Sequence, residues 1–122
     1  MNRVSDNSNN NKNTYVAPNL EKSQINAAVV RDELLKCFES ANREFVNILN
    51  QPATEEQIKQ QTRQFLVTAF QSCGASFENP SKEGIVTAIE ECRKNAEGIM
   101  GEKGRQVIDH HYSEMMKLVS KL

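Results

Sequence analysis

K-S-Q-I-N-A-A-V-V-R-D-E-L-L-K-C-F-E-S-A-N-R-E-F-V-N-I-L-N occupies residues 22–50, and its apolar spacing decides the fold. Ala27, Val30, Leu34, Cys37, Phe38, Ala41, Phe45, Ile48 and Leu49 recur at steps of three and four. An α-helix turns once in 3.6 residues, so this rhythm gathers them on one side. A half-buried strand would alternate with period two instead, and no segment after residue 21 does so. The stretch reads as one long helix with a continuous inner stripe.

The same rhythm continues downstream, divided by recognisable breaks. Q-P-A-T ends the first helix, because Pro52 disfavours a helical residue before it. T-E-E-Q then opens a second: Thr54 as N-cap and Gln57 three places on form a capping box, with Glu55 and Glu56 suited to the positive end of the dipole. Its stripe is Ile58, Thr62, Phe65, Leu66, Ala69, Phe70 and Cys73, and Gly74 stops it. N-P-S-K-E-G predicts a third helix capped by Asn79 with Pro80 in its first position. That helix should bury Ile85, Ala88, Ile89, Cys92, Ala96, Ile99 and Met100, ending in G-I-M-G-E-K-G. A fourth, from about Gly104 to the C-terminus, carries Ile108, His111, Met115, Leu118, Val119 and Leu122. Short connections between amphipathic helices make neighbours run antiparallel, so the expected fold is all-α: an antiparallel up-down four-helix bundle with a long first helix.

The chain divides at residue 21. Residues 1–21 are asparagine-rich and nearly devoid of apolar side chains, which predicts a disordered tail; residues 22–122 form the bundle domain. Tyr15, Val16 and Pro18 could turn that tail into a recognition arm. With 122 residues there is room for one core, not two.

Charge and cysteine usage narrow the partners. Fifteen basic residues face sixteen acidic ones without a basic stripe, which argues against nucleic acid. No apolar run approaches the ~20 residues of a membrane span, and the opening residues lack the apolar core of a signal peptide. Cys37, Cys73 and Cys92 are odd in number and form no C-x-x-C pair, so they read as buried thiols of a cytoplasmic protein.

Candidate chemistry gathers in I-D-H-H-Y-S-E-M-M-K-L, residues 108–118. Helical geometry places His111 among Ile108, Met115 and Leu118, whereas His110 lies ~100° round and faces water. The adjacent histidines are therefore expected to be apart in space. Glu114, one turn on from both, is the available carboxylate partner for a metal at His111. Di-iron bundles repeat Glu-x-x-His on paired helices with further glutamates opposite. Here the order is His-x-x-Glu, it occurs once, and the inner faces of the first two helices hold no carboxylate. Haem ligation by His111, with Met115 or Met100 opposite, requires fewer groups and a cavity. The simpler reading makes His111 a hydrogen-bonded core histidine and the methionines packing, with no cofactor. No nucleophile, phosphate loop or acid–base pair can be assembled, so an enzyme is not expected.

One feature exceeds the needs of a lone bundle. The first helix carries a second apolar strip of Ala28, Leu35 and Val46, and Val67 also points away from its own stripe. The expectation is therefore a small bundle acting by protein–protein interaction. It would form a homodimer through Ala28, Leu35, Val46 and Val67 and engage a further protein partner, with no nucleic acid and no membrane involved. The alternative is a carrier of haem, metal or a small ligand in a cavity beside His111.

Overall fold

The computed structural model describes residues 14–122. Four helices, α1 (Ala27–Leu49), α2 (Glu55–Ser72), α3 (Lys82–Met100) and α4 (Glu102–Val119), make an all-α four-helix bundle without strands among the described residues. The first and last helices lie side by side, α2 packs on α1 and α3, and α3 packs on α4, so the inner stripes share one core. Val30, Leu34, Leu66, Phe70, Ile85, Ile89 and Met115 are fully buried in it. No described helix is long and apolar enough to cross a membrane.

Local chemistry explains most boundaries. Thr54 Oγ1 accepts from the Gln57 N–H at 3.1 Å while Gln57 Oε1 accepts from the Thr54 N–H at 2.9 Å, the reciprocal box expected at the head of α2. Two other starts differ from expectation. The first helix begins at Ala27, not at residue 22: Asn26 is extended and its side chain accepts from the Val29 N–H at 2.9 Å. Residues 22–24 form a separate 3₁₀ turn instead. At ~1.5 Å per residue, α1 exceeds its neighbours in length by only about one turn. At the third start Ser81, not Asn79, is the cap, accepting from the Gly84 N–H at 3.1 Å. Asn79 instead donates its N–H to Ser76 Oγ within the loop.

The turn from α3 to α4 is a single residue. Gly101 has φ 66°, ψ −149°, a region that side chains avoid, and α4 begins directly after it. It is a true break, placed earlier than the expected start near Gly104. Gly104 serves a different purpose: a Cβ there would collide with the Ala96 carbonyl, so its bare Cα lets α4 approach the α3 backbone.

The described part of the expected tail packs on the bundle. Tyr15 is buried (7% exposed) and its hydroxyl donates to Glu33 Oε1 on α1 at 2.7 Å. The Ala17 N–H donates to Glu114 Oε1 on α4 at 2.9 Å, and Lys121 Nζ donates to the Leu20 carbonyl at 2.9 Å. Residues 14–21 therefore form a strap over α1 and α4, held where the Ala17 N–H and the Leu20 carbonyl, lacking a sheet or helix, meet charged side chains of the bundle. With Tyr15 turned inward, the recognition-arm reading loses its aromatic anchor. The expectation for residues 1–13 lies outside the described residues.

The strap should be sensitive to both extremes of pH. Lys117 first, and then the Ala17 N–H, hold the Glu114 carboxyl below the usual carboxylate range. A depressed carboxylate stabilises above its unfolded value of about 4.3 and loses that contribution as pH falls through its folded value. Burial first, and then the bond to Glu33, push the Tyr15 phenol upward from 10.0. A raised phenol stabilises below about pH 10 and loses that contribution as pH climbs towards its folded value. Tyr15 ring resonances should hold steady between about pH 5 and 9 and move toward free-tyrosine positions outside that window. Unchanged Tyr15 shifts at both extremes, with the helices intact, would contradict the strap contacts.

Candidate binding site

His111 is fully buried in α4. Its Nδ1 lies 2.9 Å from the Val107 carbonyl oxygen. A carbonyl can only accept, so Nδ1 carries a proton in that bond. Nε2 is buried and has no hydrogen-bond partner among the described residues. His110 is exposed, as the helical wheel requires, but the two rings still meet edge to face with centroids 5.4 Å apart. The expectation that they are apart in space is corrected: a 100° rotation separates their burial, not their edges.

The remaining candidates of that segment are occupied. Met115 is fully buried in the core. Glu114 accepts from Ala17 through one oxygen and from Lys117 Nζ, at 2.7 Å, through the other. Among the described residues no three His, Cys, Asp or Glu side chains are grouped to hold a metal ion. Cys37 and Cys92 are buried, and burial pushes both thiols well above the ordinary value. Such thiols carry little thiolate at neutral pH. Cys37 Sγ donates to the His111 carbonyl at 3.6 Å.

His111 thus behaves as a core residue with one unpaired ring nitrogen, a state costing about 1–3 kcal/mol. His111→Leu should consequently be neutral or stabilising by up to about 1 kcal/mol, whereas His111→Ala should cost about 2–4 kcal/mol through its cavity. Urea titrations of the two variants check this. Comparable losses for both would mean that the imidazole itself is required.

The hollow of the molecule lies elsewhere. Where the C-terminal half of α1 and the last turns of α3 meet the middle of α2, the helices leave a cavity of about 240 Å³. Phe38, Phe45 and Phe65 line it, with Leu49, Ile99 and Met100 toward the mouth. Ile108 borders it from α4, whereas His111, one turn further on, does not. Asn42, Gln61 and Thr62 supply the polar groups, and Asn42 Nδ2 donates to Thr62 Oγ1 at 3.2 Å. No lining residue is charged. A second, more open hollow of about 260 Å³ mixes charged and apolar walls, bounded by Glu44, Ile48, Lys103, Val107 and His110.

Helical wheels placed Leu49 and Ile99 on inner stripes, yet they are 44% and 72% exposed. Gly101 turns the chain two residues after Ile99, and Ile99 lies with Glu97 and Gly98 on the exposed part of that last turn. The signal available in the sequence was an excess of large apolar residues at the end of α1 and α3, which a wheel assigns to the core without testing whether that end is filled.

The expected interface strip is scattered by comparison. Ala28 is exposed, and Val46 is half-buried on α1. Leu35 and Val67 are half-buried and pack against the core cluster, so much of their surface serves the bundle itself. No protein-family model, no curated protein and no solved structure matches the chain.

Proposed function

We propose that this chain acts by binding, not by catalysis, and that its contact site is the apolar hollow at the end of the bundle. One observation carries the reading: Ile99 and Leu49 stand exposed at the mouth of a cavity walled by three phenylalanines. Large aliphatic side chains in water around an apolar recess favour whatever covers them. Ile99→Glu puts a charge at the mouth without touching the core, so it should abolish binding at this site while leaving helix content and melting temperature near wild type. An Ile99→Glu protein that retains every interaction of the wild type would remove the hollow as the site.

Self-association through Ala28, Leu35, Val46 and Val67 is the second reading. It is supported by the exposure of Ala28 and by Val46, which stays half-exposed outside the core cluster. Sedimentation of the wild type and of Leu35→Glu tests it; a wild-type monomer at micromolar concentration, unchanged by the substitution, rules the homodimer out. Both readings place the protein in the cytoplasm, a setting supported by three free cysteines, two of them buried.

A further inference from the structure

We infer that the occupant of the hollow is a small, neutral, mostly apolar molecule bearing one hydroxyl group, of the size and chemistry of an alkylphenol. The inference rests on the reading of the hollow as the binding site and names the ligand class.

Size comes first. An engineered apolar cavity of about 150 Å³ accepts benzene. The hollow here is about 240 Å³, room for one ring with a short alkyl extension and too little for a polycyclic ligand to be enclosed. The walls also favour a ring: Phe38, Phe45 and Phe65 come from two helices and offer aromatic edges and faces to a flat guest.

Charge is excluded next. Every residue lining the hollow is uncharged. A carboxylate or ammonium drawn inside would leave its hydration without gaining a counter-ion, a loss that apolar contact cannot offset. The ligand is therefore neutral.

The polar groups then select the handle. Thr62 is 2% exposed, and the Asn42 side chain reaches it from the facing helix. That bond uses the amide nitrogen of Asn42, a residue that lines the hollow, and leaves its carboxamide oxygen as an acceptor. A hydroxyl can donate to that oxygen, where a purely hydrocarbon guest offers it no proton. The alkyl part of the guest then lies under Leu49 and Ile99 and takes their surface out of water.

The test is calorimetry of the full chain with para-propylphenol, para-propylbenzoate and propylbenzene. The phenol should bind one per chain with Kd on the order of 0.1 mM, a modest efficiency for a guest of this size. The benzoate should bind at least about tenfold more weakly, reflecting the unpaired charge. Asn42→Ala should weaken the phenol about fivefold while leaving propylbenzene unchanged, a readout that general loosening of the bundle would not produce. Circular dichroism of each variant reports folding, and Ile99→Glu, at an exposed position, provides a second variant that should abolish phenol binding. Equal affinity for the phenol and the benzoate overturns the inference. Should the wild type dimerise and Ile99→Glu dissociate it, with the phenol failing to compete, a second copy fills the hollow: the site stands and the ligand class falls. If no probe binds and Ile99→Glu alters nothing, both the ligand and the site are wrong.

Discussion

Gly104→Ala should melt ~10 °C or more below the wild-type chain, an unusually large effect for one methyl group. In an ordinary helix the change would help, since alanine is favoured over glycine by about 1 kcal/mol. Here the added Cβ would run into the Ala96 carbonyl, with the Ala96 carbonyl carbon at 2.9 Å and Met100 Cβ at 3.1 Å. Backbone cannot rotate aside as a side chain can, so α4 must move away from α3 along their most extensive contact. Overpacking of this kind costs about 1–3 kcal/mol, and more when the obstacle is main chain. Gly98→Ala is the internal control: nothing lies within 4 Å of its Cβ position, and it sits exposed within α3. That variant should gain up to about 1 kcal/mol from propensity alone. Thermal melts of the pair decide the matter, and a Gly104→Ala protein as stable as Gly98→Ala would mean that the two helices are not as close as described.

Phe70→Ala should lose about 4 kcal/mol, a large share of the 5–15 kcal/mol that stabilises a typical domain. Phe70 is fully buried on α2, so truncation removes a whole ring from the core and leaves a cavity. It also supports the loop between α2 and α3. Phe77, from that loop, meets Phe70 edge to face at 5.5 Å. The guanidinium groups of Arg31 and Arg63 lie 5.2 and 5.1 Å from the Phe77 ring centre, and Arg31 also donates to the Phe77 carbonyl at 2.9 Å. Losing Phe70 therefore removes the floor under a ring that two arginines hold in place. The urea midpoint should fall with little change in slope, and hydrogen exchange should rise first in residues 74–81. A loss under about 1 kcal/mol would show that the site collapses freely and that the loop is held by its arginines alone.

The helices were legible in the sequence because their signals are local. The Thr54–Gln57 box, the glycine stop after α2 and the three- and four-residue apolar steps each depend on atoms within one or two turns. Capping was less legible where several candidates compete. In N-P-S-K-E-G both Asn79 and Ser81 are competent caps; the helix takes Ser81, whose hydroxyl accepts from the Gly84 N–H, while Asn79 stays in the loop with its N–H bonded to Ser76. The Asn26 cap is equally hard to see, because residues 22–25 contain no strong helix breaker. The strap was not legible at all: its acceptors Glu33 and Glu114 and its donor Lys121 lie far along the chain, and composition alone describes a polar tail.

The candidate site divides in the same way. The buried state of His111, Met115, Cys37 and Cys92 followed from the angle of each residue around its helix. Ile99 and Leu49 have the same angular credentials and are nonetheless exposed, because angle says nothing about position along the axis relative to a neighbouring helix end.

By itself the sequence determined which residues are helical and which side of each helix turns inward, since both follow from the 3.6-residue repeat of a single backbone. Only the tertiary structure decided whether the space between those sides is filled or hollow, and where charged side chains capture the polar strap. Those outcomes depend on separations between segments far apart in the chain, and no periodicity within one segment encodes them.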